Sequence, residues 1–325
     1  MWHRLQPAIS LLLLAPLVAE YLLGSLSFHE LWLFPIMTPM YGGGALLIRE
    51  AARQNGRGWP TILTLGLAYA FVEEGLATQS LFNPHYLGLH LLDYGYVWQL
   101  GIGAPWTVYV LLLHVVWSIA VPISLVEWLF PTQRTTAWLK TFGLAVSLIV
   151  FVLGVTLVAF GTRQKEEFVA STTQLTVTAL IALGLTVAAF VVFRPAATHP
   201  VDSSTTASWN PWALAVLSFV AGSVFQLVTQ LGGGYFSPWV AVPIQLALPL
   251  AVIAAVHAAR SSGLGTDSIA DALMLGALLA YCWLGFFLTV RMHGRNSVPG
   301  QFFPFAIVVA LLAWRYTRRP TTSTD

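Results

Sequence analysis

The chain has 325 residues, 57% of them hydrophobic and only 9% charged, with a formal net charge of +2 and a single cysteine, Cys282. Its mean hydropathy is +0.75, whereas soluble domains carry about 25% charged residues. These values exclude a soluble enzyme, a nucleic-acid-binding domain and a disordered tail protein, and the lone cysteine excludes an internal disulfide or a cysteine-based metal site. An all-α, polytopic transmembrane helix bundle is what remains.

A crossing helix needs about 20 mostly apolar residues. Ten segments meet that need: 8–26, 31–48, 60–82, 105–130, 141–160, 174–193, 211–231, 238–258, 268–290 and 298–315. The first follows Arg4. Its run Ile9–Val18, closed by the small Ala19, has the outline of a secretory signal. It continues through Tyr21–Leu23, so it reads as an uncleaved first helix. The second carries Pro35, Pro39 and Gly42–Gly44. Proline removes a helical hydrogen bond and glycine loosens the backbone, so a kinked or broken helix is expected there.

The third segment holds two adjacent acids, Glu73 and Glu74, about 9 residues, or roughly 13 Å, from its outer end. A charge at the centre of a membrane helix costs about 2.5–3.5 kcal/mol, so such groups are functional candidates by default. Two neighbouring carboxylates in a poor solvent do not both ionise easily, and a retained proton suits a general acid or a proton carrier. The following loop, about 83–104, is the longest and holds His85, His90 and Asp93 but no lysine or arginine. The fourth segment returns from the outer side. His114 lies about 9 residues in, at the depth of Glu73, and Ser118 shares its face at i+4. Glu127, near the inner end of this helix, is expected to snorkel, and His257 near the inner end of the eighth likewise.

The stretch 194–210 is rich in Pro, Ser and Thr and reads as a cytoplasmic linker between residues 1–193, with six helices, and 211–325, with four. Both parts are expected to form one integrated membrane domain. Further polar groups collect toward the outer half: Glu20 near the outer end of the first segment, Gln79 and Ser80, then Gln226, Thr229 and Gln230, Gln245, and the loop residues Arg291, His293, Arg295 and Asn296. With Ser118, His85, His90 and Asp93 they suggest a polar substrate cavity that opens outward, with the Glu pair at its floor. His85, His90 and Asp93 have spacing loose enough to join Glu73 around a divalent ion, but no metal-ligand motif is present and no metal is assigned. With the N-terminus inside, eleven of the fifteen lysines and arginines fall on inner segments and four on outer loops. That bias places both termini in the cytoplasm of a plasma-membrane protein. Most tryptophans sit near helix ends, as an interfacial belt requires.

Glu73-Glu74 in one helix and His114 in the next resemble the CAAX protease and bacteriocin-processing family of glutamyl intramembrane proteases. That family's pattern is Glu-Glu-x-x-x-Arg, then Phe-x-x-x-His, then His-x-x-x-Asn/Asp. Here Thr78 stands in place of the arginine and Val110 in place of the phenylalanine. For the third motif, His293 and Asn296 are one residue too close, and His257 is followed by Ser261. The resemblance implies Glu73 as the base that activates water, Glu74 as its partner and His114 as the polariser of the oxyanion. Three functions stay open from the sequence. One is a glutamate-dependent peptidase or related hydrolase with a peptide or lipid-like substrate. The second is a proton- or cation-coupled transporter. The third is a structural subunit of a membrane complex. No cofactor or nucleic-acid partner is indicated; the lipid bilayer is the one partner implied.

Overall fold

A computed structural model of the chain describes residues 2–193 and 209–317. Most of the linker expected at 194–210 lies outside the described residues. The rest is almost entirely helical: α1 (Trp2–Pro16), α2 (Phe34–Gln54), α3 (Trp59–Phe71), α4 (Ala104–Leu113), α5 (Val121–Leu129), α6 (Thr141–Glu166), α7 (Thr172–Val191), α8 (Pro211–Tyr235), α9 (Pro238–Ser261), α10 (Thr266–His293) and α11 (Val298–Thr317). Three π-helical segments interrupt this pattern. Leu17–Leu22 continues α1, Val72–Ala77 continues α3, and His114–Ala120 joins α4 to α5 in one rod. The only sheet among the described residues is a two-residue hairpin, Tyr96–Val97 against Ile102–Gly103.

Nine of the resulting rods are long and apolar enough to cross a membrane. The tenth, α3 with its π segment, carries Glu73 and Glu74, which lower its hydropathy. Its crossing follows from the connections. At one end Gln54 donates to the Leu139 carbonyl, Arg134 pairs with Asp271 at 2.6 Å, and Arg315 donates to the Trp128 carbonyl. At the other end Gln79 accepts from Ala170 N–H, Tyr94 donates to the Phe236 carbonyl, and His293 pairs with Glu30. Since α3 starts at the first end and finishes at the second, it spans the bundle. The α4–α5 rod and α10 form the buried centre, whereas α6, α7, α9 and α11 turn most of their apolar surface outward, as lipid contact requires.

The second helix is not broken. Pro35 sits in the first turn of α2, where its missing N–H costs nothing, and the helix continues past Pro39 to Gln54. The glycines serve close approach instead. A Cβ on Gly42 would meet the Leu12 carbonyl oxygen at 2.1 Å, and one on Gly44 would meet the Tyr69 ring at 2.5 Å. From α6, Gly154 admits the backbone of Met40 in the same way. Small residues let membrane helices gain contact where no hydrophobic drive is available.

Glu127 does not snorkel. It is fully buried, held by Arg49 at 3.1 Å and by Arg53 at 2.7 Å. Arg49 is also fully buried. It pairs with Glu50 at 2.5 Å, donates to the carbonyls of Gln133 and Arg134, and stacks on Trp138 at 3.5 Å. Glu50 accepts in turn from the backbone N–H groups of Trp138 and Leu139. A carboxylate can stay inside because every charge here has a partner, so extending to the interface gains nothing.

Two stability outcomes follow. Gly42→Ala should lower the melting temperature in detergent, with a loss of about 1–3 kcal/mol from overpacking. Gly161→Ala, where a Cβ would meet nothing within 4 Å, should leave it unchanged. Glu127→Ala should cost about 3–5 kcal/mol by stranding Arg49 and Arg53, measured as the shift in the same melting curve.

Candidate functional site

Glu73 and Glu74 lie on the π segment that ends the third rod, and His114 begins the π segment of the fourth. A π turn closes i→i+5 and places an extra residue in the ring, so successive side chains diverge less than in an α-helix. This lets two sequence neighbours face one imidazole. His114 Nε2 lies 2.8 Å from Glu74 Oε1, and Nδ1 lies 2.8 Å from Ser118 Oγ. Glu73 Oε2 approaches Nδ1 to 3.0 Å, but without the alignment of a hydrogen bond, since Nδ1 is engaged with Ser118. All three side chains are nearly inaccessible, with Glu73 only 1% exposed.

Glu74 is fixed on its far side. Its Oε2 accepts from Ser80 and from Thr78 Oγ1 at 3.2 Å, and Trp106 Nε1 donates to Ser80 Oγ at 3.3 Å. Tyr41 and Tyr69 flank the imidazole, each with its ring centroid 6.2 Å away. The Tyr69 hydroxyl is buried without an aligned partner. Tyr41 donates to Glu20, which lies on the π segment of the first rod and also accepts from Ser25 at 2.5 Å. All three π segments of the described chain thus carry members of one polar cluster. π turns appear mostly as local defects at functional sites.

A protonated imidazole can donate from both nitrogens and a neutral one from a single nitrogen, so His114 can exchange a proton with Glu74 through Nε2 while Ser118 holds Nδ1. The same three residues each offer one ligand atom, all within 4.8 Å of one another. Two carboxylates and an imidazole form a donor set suited to a first-row divalent ion.

The remaining sequence candidates lie elsewhere. His85 and His90 pack ring to ring at 5.1 Å, and His90 meets Asp93 at 3.5 Å on the exposed surface of the outer loop. They do not join Glu73. Gln226 is buried and accepts from Tyr109 at 2.6 Å, while Gln230 accepts from Arg291. His293 bonds the Ser25 carbonyl at 3.0 Å, and Arg295 and Asn296 are exposed on the turn before α11. Gln226, Arg291 and His293 thus bond partners on neighbouring helices or turns, Tyr109, Gln230 and the Ser25 carbonyl. His257 is exposed near the inner end of α9. An open apolar groove of about 470 Å³ lies between α8, α10 and α11, lined by Phe219, Cys282 and Trp283 among others, and holds no member of the cluster. Tyr41, Tyr69, Thr78 and Trp106 gave no sequence signal as members, whereas Ser80 follows the Glu pair among the polar groups of the expected cavity. Tyrosine, threonine and tryptophan are ordinary in membrane helices. Glu20 carried a signal, as an acid inside an apolar run.

His114→Ala should lower stability by about 3–5 kcal/mol, because it strands two buried carboxylates. Ser118→Ala should cost about 1 kcal/mol for one lost hydrogen bond. Thermal unfolding in detergent distinguishes the two.

No curated protein and no solved structure matches this chain. One family model, described as an uncharacterized membrane protein family, matches residues 9–313. The chain, with nine helices among the described residues long and apolar enough to cross a membrane and a buried Glu-Glu-His cluster, belongs to that family of membrane proteins.

Proposed function

We propose that the chain is an intramembrane hydrolase of the glutamate-dependent type, acting on an apolar peptide or lipid-like substrate from the outer side of the plasma membrane. Glu73 is the general base, Glu74 orients His114 through Nε2, and His114 polarises the developing oxyanion through Nδ1, which leaves Ser118 to do so. The observation that carries this reading is Glu73 Oε2: a buried carboxylate oxygen with no aligned hydrogen bond, beside an imidazole held from its other nitrogen by Glu74. That is the arrangement a base needs to accept a proton from water. The water oxygen adds to the substrate carbonyl, its proton passes to Glu73, and the proton is then delivered to the leaving group as the scissile bond breaks.

The resemblance to glutamyl intramembrane proteases supports the same roles, and it extends to Glu73, Glu74 and His114. Thr78 replaces the family's arginine but still serves Glu74, through its hydroxyl. Proton-coupled transport finds less support. On α2, residues 42–48 separate Tyr41 from Arg49 by glycines and apolar side chains alone, and 119–123 on the fourth rod are apolar as well. Seven helical residues span about 10 Å, so these two elements offer no polar stepping stone to the inner end.

Incubating the purified protein with a library of apolar peptides should release fragments detectable by mass spectrometry. Glu73→Gln should reduce that release by about 10²–10⁴-fold while leaving the melting curve near that of the wild type. Equal release by both proteins would remove the hydrolase assignment.

A further inference from the structure

A hydrolase consumes one water for each bond it breaks, and hydrocarbon supplies none. The segment 79–90 covers the outer side of the cluster and is held in an unusual backbone conformation. Gln79, Leu87 and His90 have φ of 56°, 54° and 50°, three of the four non-glycine residues with positive φ among the described residues. Such conformations persist only where surrounding contacts enforce them. Two contacts come from the end of α6 and the turn that follows. Glu166 Oε2 accepts from Leu87 N–H at 3.0 Å, and Gln79 Oε1 accepts from Ala170 N–H at 2.7 Å. Tyr86 turns inward from the segment. Burial, and then the charge of Glu74, raise its phenol well above the usual value of 10.0, so the hydroxyl keeps its proton.

Between this segment and α6 lies a cavity of about 10 Å³, lined by Thr78, Gln79, Asn83, Thr162, Arg163 and Glu166. A polar space of this size holds about one water. Asn83 is 2% exposed, and its Nδ2 has no hydrogen-bond partner. Thr78 also lines the cavity, and its hydroxyl reaches Glu74 Oε2 at 3.2 Å.

We propose that this cavity is a water port, through which single waters pass from the outer aqueous phase, by Asn83 and Thr78, to Glu74 and on to its neighbour, the base Glu73, with the Glu166–Leu87 bond as its latch. Its use in hydrolysis rests on the hydrolase reading above, but water passage can be measured without a substrate. Asn83 Nδ2 supplies a donor for the incoming oxygen, and Thr78 passes the water on to the carboxylate. The strained segment opens when the latch releases.

The test uses the full-length protein in lipid nanodiscs. Two readouts are taken: deuterium uptake by the peptide spanning residues 72–83, and labelling of Glu74 by a water-soluble carbodiimide with an amine nucleophile. Glu166→Ala, which removes the latch, should raise both on the order of fivefold, the worth of one hydrogen bond. Thr162→Leu, which fills the port with apolar volume, should lower both by a similar factor. Labelling by an apolar carbodiimide delivered from the lipid should be equal in all three proteins. The port is overturned if uptake and hydrophilic labelling ignore both variants. It is also overturned if apolar labelling moves in step with hydrophilic labelling, since the variants would then have altered the glutamates themselves. Loss of turnover in Glu73→Gln together with indifferent uptake would leave the hydrolase and sink the port. Latch-dependent uptake without turnover would do the reverse.

Discussion

Hydrocarbon gives a charged side chain nothing to bond to, and most of this structure can be read as an answer to that constraint. Two groups of ionisable residues lie inside the bundle at different depths. At one end Arg49, Arg53, Glu50 and Glu127 satisfy one another, and they fasten the loop after α5 to the end of α2. Toward the other end Glu73, Glu74 and His114 form a second group, and Glu20 joins it by way of Tyr41. The two differ in completeness. The Glu127 carboxylate is bonded on both oxygens, whereas Glu73 keeps an oxygen without an aligned donor, although His114 Nδ1 lies 3.0 Å from it and the Tyr69 hydroxyl faces the same carboxylate. A saturated ionic cluster is a fastening. An unsaturated one, equally buried, has capacity left for a proton or a reacting molecule.

The path to that capacity is built into the helices. Three rods leave the regular α pattern just where they meet the polar cluster, and the third stops at Ala77 instead of running on to residue 82. The residues released from the expected helix become part of the site. Thr78 and Ser80 bond Glu74, and Asn83 lines the small cavity behind it. An uninterrupted helix would have pointed successive side chains around its axis, some of them into lipid. Close helix contact supports the arrangement from below: Gly42 and Gly44 draw α1 and α3 against α2, and this brings Tyr41 and Tyr69 beside His114.

Much of this was legible beforehand because membrane physics acts on short stretches of chain. Apolar length alone located all ten rods, and equal counting inward from the outer ends of two consecutive segments matched Glu73 with His114. The failures share a cause too. Pro39 and three glycines suggested a kinked or broken helix, since local propensity describes an isolated segment, but with α1, α3 and α6 packed against it α2 runs unbroken from Phe34 to Gln54. Glu127 near a helix end suggested a path to water, and Glu50 drew no notice. Both are sealed in by partners far along the chain, Trp138 and Arg49 among them. Among the loop residues expected around an outward cavity, Arg291 bonds Gln230 and His293 bonds the Ser25 carbonyl, partners that spacing along the chain does not reveal.

The sequence by itself determined that the chain lives in a membrane, where it crosses, which end gathers arginine, and that two acids and a histidine lie at one depth. Each of these depends on composition or counting along the helix axis. Tertiary structure alone decided which way those side chains face. Rotation about a helix axis is set by packing against neighbours distant in sequence, and the π turns that rotate Glu73, Glu74 and His114 toward one another leave no periodic mark in an almost uniformly apolar chain.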